Sequence, residues 1–267
     1  MVRSLAAGAT LVLCLAVPPL AAAEDAPTSG VSARFWIGRW SDYEDCLRTA
    51  PIDRIEDVGQ GVTKPRRAFF RPGGVAASAI VKVLPRKRMK GFWESYQAEV
   101  AAYVLDRILR LDMVPVTVER RIEGDLASVQ LWIDRTRLLS DVGAEVPPRP
   151  YEWARQVRRQ RVFDALIANI DRNAGNMLVD EDWNMILIDH SRAFMKNETP
   201  FLDEISAVDR PLYEAVKALD EATLDEQLKP WLFGKGSVKD LLKRRDKIVE
   251  KLEKLARERG EAAVFTP

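Results

Sequence analysis

The chain has 267 residues, 47% hydrophobic and 30% charged, with a formal net charge of +1. This suffices for one large domain or two small lobes sharing an interface, and near-neutrality singles out no nucleic acid or other charged partner. A sole histidine, His190, excludes multi-histidine metal sites and argues against a Ser-His-Asp triad.

Residues 1–23 are set aside first. A basic opening at Arg3, an apolar run from Leu5 to Val17, Pro18-Pro19 and the small residues Ala21-Ala22-Ala23 read as a secretory signal peptide. The expectation is export to a periplasm or secretory lumen, with an uncleaved membrane anchor as the alternative; the apolar run is short for a span. Cleavage removes only Arg3 among charged residues, leaving the mature chain formally neutral. It also leaves Cys46 as the single cysteine, so no internal disulfide is expected.

Residues 24–33 read as a disordered start, and Ser41 as the cap of a short helix through Leu47, ended before Pro51. Residues 52–84 read as strands. Gly59-Gln60-Gly61 marks a turn whose backbone N–H groups could approach phosphate, and Pro72-Gly73-Gly74 marks a hairpin. Residues 92–110 carry helical periodicity through Tyr96, Val100, Tyr103 and Val104. "MVPVTVERRI" and "ASVQLWID" read as two further strands joined by Glu123-Gly124-Asp125.

Beyond a Pro-rich linker at residues 146–150, Tyr151 to Ala168 reads as a helix with Trp153, Val157, Phe163 and Ile167 inward. "MLVD" and "MILIDH" form a small hairpin around residues 181–184. Helices follow near 201–220 and 222–229, and Ser237 caps a last helix to Arg259. The fold class is α+β: a strand-rich front and a helical rear meeting near residues 134–150, with a ligand cleft between them.

Three polar side chains stand out in "IANIDRNAGNMLVDEDWNMILIDHSRAF": Asp171, Asn176 and Asp189. The first two lie where a helix gives way to a hairpin, and the hairpin returns the chain to bring Asp189 beside them. Carboxylate and amide oxygens suit Mg²⁺ shared with phosphates. Phosphoryl transfer needs such a metal plus an acid that orients the attacking hydroxyl. Asp171 fits the second role, and Asn176 and Asp189 the first. For Asn173 and Asn184 turn capping is preferred. In the front half, Lys82 sits inside the apolar "SAIVKVL" and must face solvent or find an anion. Glu99, on the following helix, is the natural partner.

Together these stretches, with "QAEVAAYVLDRIL", resemble the atypical kinases related to phosphoinositide 3-/4-kinases, HipA-type kinases and Golgi secretory-pathway kinases, uncharacterised bacterial members above all. The resemblance covers about residues 52–194. It implies a two-lobed protein-kinase-like fold: a small β-rich N-lobe with one main helix over 52–136, and a mostly helical C-lobe over 137–267. It also implies ATP with Mg²⁺ or Mn²⁺ between the lobes and an unknown hydroxyl-bearing acceptor, protein Ser/Thr favoured over lipid or sugar. A nucleotide-binding pseudokinase is the competing reading. Lys82 would contact phosphate, Glu99 would position Lys82, Asp171 would be catalytic, Asn176 and Asp189 would bind metal, and Gly59 and Gly61 would lie over the phosphates. Leu131 to Asp134 would fall near the adenine.

The chain departs from relatives in having Asn173 where they often carry histidine, and His190-Ser191 after Asp189 instead of Phe-Gly. Asp164 and Asn169 are expected to brace the catalytic loop, His190 to pack or bond locally, and Arg172 and Arg192 to pair with acids rather than with phosphate. Basic residues run from Lys64 to Lys90 with no acid between, and Arg86 to Lys90 form the candidate anionic-surface contact. Nucleic acid is not expected, because no aromatic residues interleave with the basic residues from Arg86 to Lys90. A monomer is the default.

Overall fold

The computed structural model describes residues 33–59, 64–84, 87–89, 92–194, 201–232 and 237–267. The candidate signal peptide, the start up to residue 32, Gln60-Gly61, and Arg86 and Lys90 of the basic segment lie outside the described residues.

The first helix, α1 (Trp40–Thr49), begins two residues before a Ser41 cap would place it: Arg39 holds the cap position with no side-chain bond. Tyr43 and Leu47 point inward from it. Strands β1 (Ile52–Asp57), β2 (Arg66–Phe70) and β3 (Ser78–Lys82) follow, then a small hairpin, β4 (Lys87–Met89) with β5 (Phe92–Glu94). The expected helix over 92–110 therefore starts later. Phe92 to Glu94 pair as a strand, and Ser95 caps α2 (Tyr96–Leu109) by accepting the Gln97 N–H at 3.0 Å. An Asx- or Ser-type cap satisfies N–H groups the first helical turn cannot, so Ser95 fixes where α2 begins.

Strands β6 (Thr117–Ile122) and β7 (Asp125–Leu131) close a five-stranded antiparallel sheet in the order β1-β2-β3-β7-β6. Alternation sorts its faces. Ala79 and Val81 of β3 are buried with Ala68, Val129 and Leu131 in the core shared with Leu47. Ser78, Ile80 and Lys82 point to the opposite face.

The rear begins with β8 (Thr136–Leu138), a short strand not anticipated, and α3 (Pro150–Leu166). Pro150 opens α3 at a position where its missing N–H costs nothing. Phe163 and Ile167 are fully buried, while Trp153 and Val157 pack at the edge. Strands β9 (Met177–Asp180) and β10 (Met185–Leu187) form the expected hairpin and join β8 in the order β10-β9-β8.

The single helix expected near 201–220 is broken up. A 3-10 turn (Leu202–Glu204) and strand β11 (Val208–Asp209) precede α4 (Arg210–Lys217), because Asp209 caps α4 and Val208 pairs with the chain's end. Helices α5 (Glu221–Gln227), α6 (Ser237–Arg259) and α7 (Glu261–Val264) lead to β12 (Phe265–Thr266), parallel to β11. Arg159 of α3 grips the fully buried Asp209 carboxylate through both oxygens, at 2.8 and 2.7 Å, and so holds the α4 end against the main rear helix. The described residues form one compact unit.

Candidate functional site

Lys82 is the side chain on which front and rear converge. It emerges from the open face of β3, and its Nζ lies 2.5 Å from Glu99 Oε1 and 2.8 Å from Asp189 Oδ1. Lys82 and Glu99 are almost completely buried, whereas the Asp189 side chain keeps 31% of its exposure. Burial alone would drive the ammonium toward its neutral form; the two carboxylates outweigh it and hold Lys82 charged well above the usual lysine range. Burial pushes the Glu99 carboxyl up, against the pull of Lys82. Burial likewise pushes Asp189 up, but the Lys82 charge and hydrogen bonds win and bring it down to about 2.

Glu99 holds a second tether: its Oε2 accepts the His190 backbone N–H at 2.9 Å. One helix side chain thus fixes both the sheet lysine and the segment after Asp189. That segment is also stitched to the start of α2, where the Ser95 N–H donates to the Ser191 carbonyl at 3.0 Å.

Asp189 has φ 57°, the left-handed region, and so do Ala168 (51°) and Phe194 (61°) on either side of the loop. Such conformations cost a non-glycine residue on the order of 1 kcal/mol or more and persist where surrounding contacts enforce them. Here the Phe194 N–H donates to the Ile167 carbonyl at 2.5 Å, closing the segment onto the end of α3.

Asp171, Asn176 and Asn173 share one loop. Asn176 donates its Nδ2 to the Asp171 carbonyl at 2.9 Å, and its Oδ1 has no donor among the described residues. Asn173 donates to the same carbonyl at 3.0 Å and accepts the Gly175 N–H at 2.8 Å, the capping role expected for it. Burial raises the Asp171 carboxyl, and the Arg192 guanidinium, 3.1 Å away, opposes that rise. The Asp171 side chain is about one-third exposed, open to an incoming molecule.

Behind the loop, Asp164 is fully buried and gathers Arg172 (2.8 and 3.0 Å), Asn169 (2.8 Å) and Gln160. Arg172 in turn donates to the carbonyls of Ile188 (3.0 Å) and Asn176, and meets His190 Nε2 at 2.9 Å. Burial, then the charge of Arg172, keeps the His190 imidazole neutral far below its usual pKa, so Nε2 acts as acceptor. Arg172 therefore welds the Asp171 loop to the strand end carrying Asp189. The bracing expected of Asp164 and Asn169, and the structural role expected of Arg172 and His190, are what the hydrogen bonds show.

Sequence reasoning did not single out Glu94. It is almost fully buried, and Arg192 bridges from it (Nη2 to Oε1 2.6 Å) to Asp171. Nothing in the spacing of Glu94 marks it, because its partner lies 98 residues away. Gly59 has φ +73°, a turn conformation suited to glycine, in the β1–β2 connection.

The donor set suits a hard divalent ion shared with phosphate. Asp189 Oδ1 serves Lys82 and Ser191, while Oδ2 has no protein donor among the described residues. With Asn176 Oδ1 it supplies two neutral-to-anionic oxygens. Among the described residues no three His, Cys, Asp or Glu side chains gather to hold a metal by themselves, so such an ion would need its remaining ligands from phosphate and water. The pocket bordered by Arg34, Trp153 and Trp183 is lined by none of these residues.

No protein-family model matches the sequence, and no curated protein matches it. Solved structures do match the fold. The Golgi casein kinase superposes with a TM-score of 0.65 at 15% identity, covering 86% of this chain and 79% of that one; a second structure of it holds Mn and ADP (TM-score 0.63). Hydra Fam20 with sugar matches at 0.63 and 15% identity over 84% of this chain and 91% of that one. The Helicobacter pylori proinflammatory kinase CtkA matches at 0.52 and 12% identity, over 80% and 97%. The expected fold is thereby borne out: an antiparallel front sheet and a helical rear in the arrangement of the atypical protein-kinase-like proteins.

Proposed function

We propose that this chain, which has the fold of the atypical kinases, transfers the γ-phosphoryl group of ATP to a hydroxyl acceptor, with protein Ser/Thr as the favoured class. The observation that carries the reading is the meeting of Lys82 with Glu99 and Asp189 at 2.5 and 2.8 Å across 107 residues of sequence. A cation from the sheet and acids from a helix and the rear hairpin are thus held where a triphosphate with metal would lie. Residues 52–136 and 137–267 act as the two lobes, and the segment 1–23 directs the chain to an exported compartment.

In this reading Glu99 holds Lys82, and Lys82 turns part of its charge onto phosphate oxygens. Asn176 Oδ1 and Asp189 hold Mg²⁺ or Mn²⁺, which when bound offsets negative charge on the phosphates. The acceptor oxygen bonds to the γ-phosphorus, the bond from that phosphorus to the β–γ bridging oxygen breaks, and ADP leaves. Asp171 orients the hydroxyl and takes its proton. Arg192 opposes the rise that burial gives the Asp171 carboxyl. The intact set of Lys82, Glu99, Asp171, Asn176 and Asp189 favours an active enzyme over a pseudokinase.

The test is transfer of labelled γ-phosphate with Mg²⁺ or Mn²⁺ to protein, lipid and sugar panels, with Asp171→Asn alongside. Labelling that vanishes in the variant supports the reading. Nucleotide binding without transfer to any panel would assign the chain to the pseudokinase alternative, and lipid or sugar labelling alone would move the acceptor class.

A further inference from the structure

Away from the polar cluster, a pocket of about 130 Å³ is lined by the first half of α3, the β9–β10 turn, the α2–β6 connection and Arg34. Between Arg155, in its wall, and Leu166 the helix runs roughly 16 Å, and the Asp171 loop lies beyond, so an occupant here is not the nucleotide. The floor is built and satisfied. Gln156 Oε1 accepts from Arg34 Nη2 at 2.6 Å and from the Met185 N–H at 2.7 Å, while Gln156 Nε2 donates to the Trp183 carbonyl at 3.0 Å. Trp183 sits in the turn with φ 60°, a costly conformation for a bulky residue. Asp180 Oδ1 enforces it by accepting the Asp182 and Asn184 N–H groups at 3.0 and 2.7 Å. The Trp183 ring meets Trp153 edge to face at 5.4 Å.

Four arginines line the pocket against two acids, Glu152 and Asp182. Two of the four have places in the fold: Arg159 is held by Asp209, and Arg34 by Gln156 and the Met185 carbonyl. Arg149 and Arg155 do not. The Arg155 side chain is 32% exposed and makes no hydrogen bond among the described residues. Its nearest carboxylate oxygens lie at 3.5 Å (Asp209) and 3.9 Å (Glu152), and its Nε is shut off from solvent without an acceptor. Arg149 gives one N–H to the Asp182 carbonyl at 2.9 Å and pairs with no carboxylate among the described residues. Burial lowers the Arg34 guanidinium to about 10, and Asp180, Asp106 and Asp112 counter that only in part. The pocket therefore carries positive charge and N–H donors that the protein itself leaves unanswered.

We infer that this pocket is an oxyanion site of phosphate-ester size, in which Arg149 and Arg155 bind a phosphate group carried by a ligand other than the nucleotide. A phosphate monoester brings a charge of about −1.5 to −2 and three acceptor oxygens, enough to serve both guanidiniums at once. A carboxylate has one charge and two oxygens to set against the same donors. The volume admits a phosphate and the first atoms it esterifies, and the Trp153 and Trp183 rings offer apolar wall to that carbon stem. A free phosphate and a phosphorylated protein residue share this chemistry. The site stands independently of the kinase reading.

The experiment titrates inorganic phosphate, a phosphoserine peptide and its unphosphorylated counterpart into the full chain by calorimetry, without nucleotide or metal, for wild type, Arg149→Leu, Arg155→Leu and Arg155→Lys. Expected is saturable phosphate binding to wild type, weakened roughly tenfold or more by each leucine variant, as for a hydrogen bond to a charged group. Arg155→Lys keeps the charge without the planar fork, so it should recover less than half of the loss. Phosphopeptide binding roughly tenfold tighter than inorganic phosphate, with none for the unphosphorylated peptide, identifies a protein-borne phosphate as the ligand; equal affinity identifies a free one. Arg149 is exposed, so its variant should keep the wild-type melting temperature and carries the test if Arg155→Leu loses stability. Absence of saturable binding to wild type, or affinity unchanged in Arg149→Leu, would overturn the inference and leave the kinase reading standing.

Discussion

Arg172→Met removes the clasp behind the loop that carries Asp171 and Asn176. The Arg172 side chain is 3% exposed and that of Asp164 is fully buried, so the change leaves a carboxylate inside the protein without its cation. It also orphans the Ile188 carbonyl and the acceptor nitrogen of His190. Breaking a buried ion pair from one side costs about 3–5 kcal/mol. Gln160 and Asn169 still donate to Asp164 and cushion the loss, so the lower half of that range, about 3–4 kcal/mol, is expected. For a unit of this size that corresponds to a fall in Tm of roughly 6–15 °C. Urea unfolding of wild type, Arg172→Met, Asp164→Asn and the double variant gives the coupling directly, and about 2 kcal/mol or more should appear between the two positions. A single-variant loss under about 1 kcal/mol, or no coupling, would refute the reasoning, because the hydrogen bonds described here could not then be the clasp.

Further outcomes follow from the same geometry. Asp171→Asn should keep metal-dependent nucleotide binding while lowering transfer by a factor of about 10²–10⁴, the usual contribution of a positioned acid or base; single-turnover labelling separates the two. Lys82→Met leaves Glu99 and Asp189 facing each other without their shared cation and should lower both Tm and triphosphate affinity, with Glu99→Gln in the same chain restoring part of the Tm and none of the affinity. Asp189 has its folded pKa depressed to about 2, below the unfolded value of about 3.9. It therefore adds stability that is present above pH 4 and is lost as pH falls through 2, at most about 2.6 kcal/mol. Asp189→Asn should flatten that part of an acid-unfolding curve.

The parts of the site that were legible in the sequence are those fixed by local spacing. Asp171 and Asn176 share one loop, and a hairpin of two short strands returns the chain to Asp189, so the order of polar and apolar residues already implied their meeting. Lys82 was legible because a lysine within an apolar strand demands an anion. Long-range pairs left no such trace: Glu94 with Arg192, or Arg67 with Trp132 and Asp134, are ordinary surface-type residues until the sheet register brings them together. The helix expected over 92–110 began late for a related reason. Phe92 and Trp93 fit a helical stripe, yet Ser95 competes for the cap and frees them to pair with β4. The tail was read as plain helix because a two-residue pairing of Val208 with Phe265 cannot be inferred from periodicity.

The most direct test of the central claim is the melting temperature of the purified chain with millimolar ATP and Mg²⁺ or Mn²⁺, compared with Asp189→Asn. Binding at one hundred times Kd adds about 2.7 kcal/mol, so wild type should gain several degrees only when metal and nucleotide are both present, and the variant should gain little. A wild-type chain that shows no shift with either metal, or a variant that shifts as wild type does, would contradict the assignment of Lys82, Asn176 and Asp189 to a metal–nucleotide site.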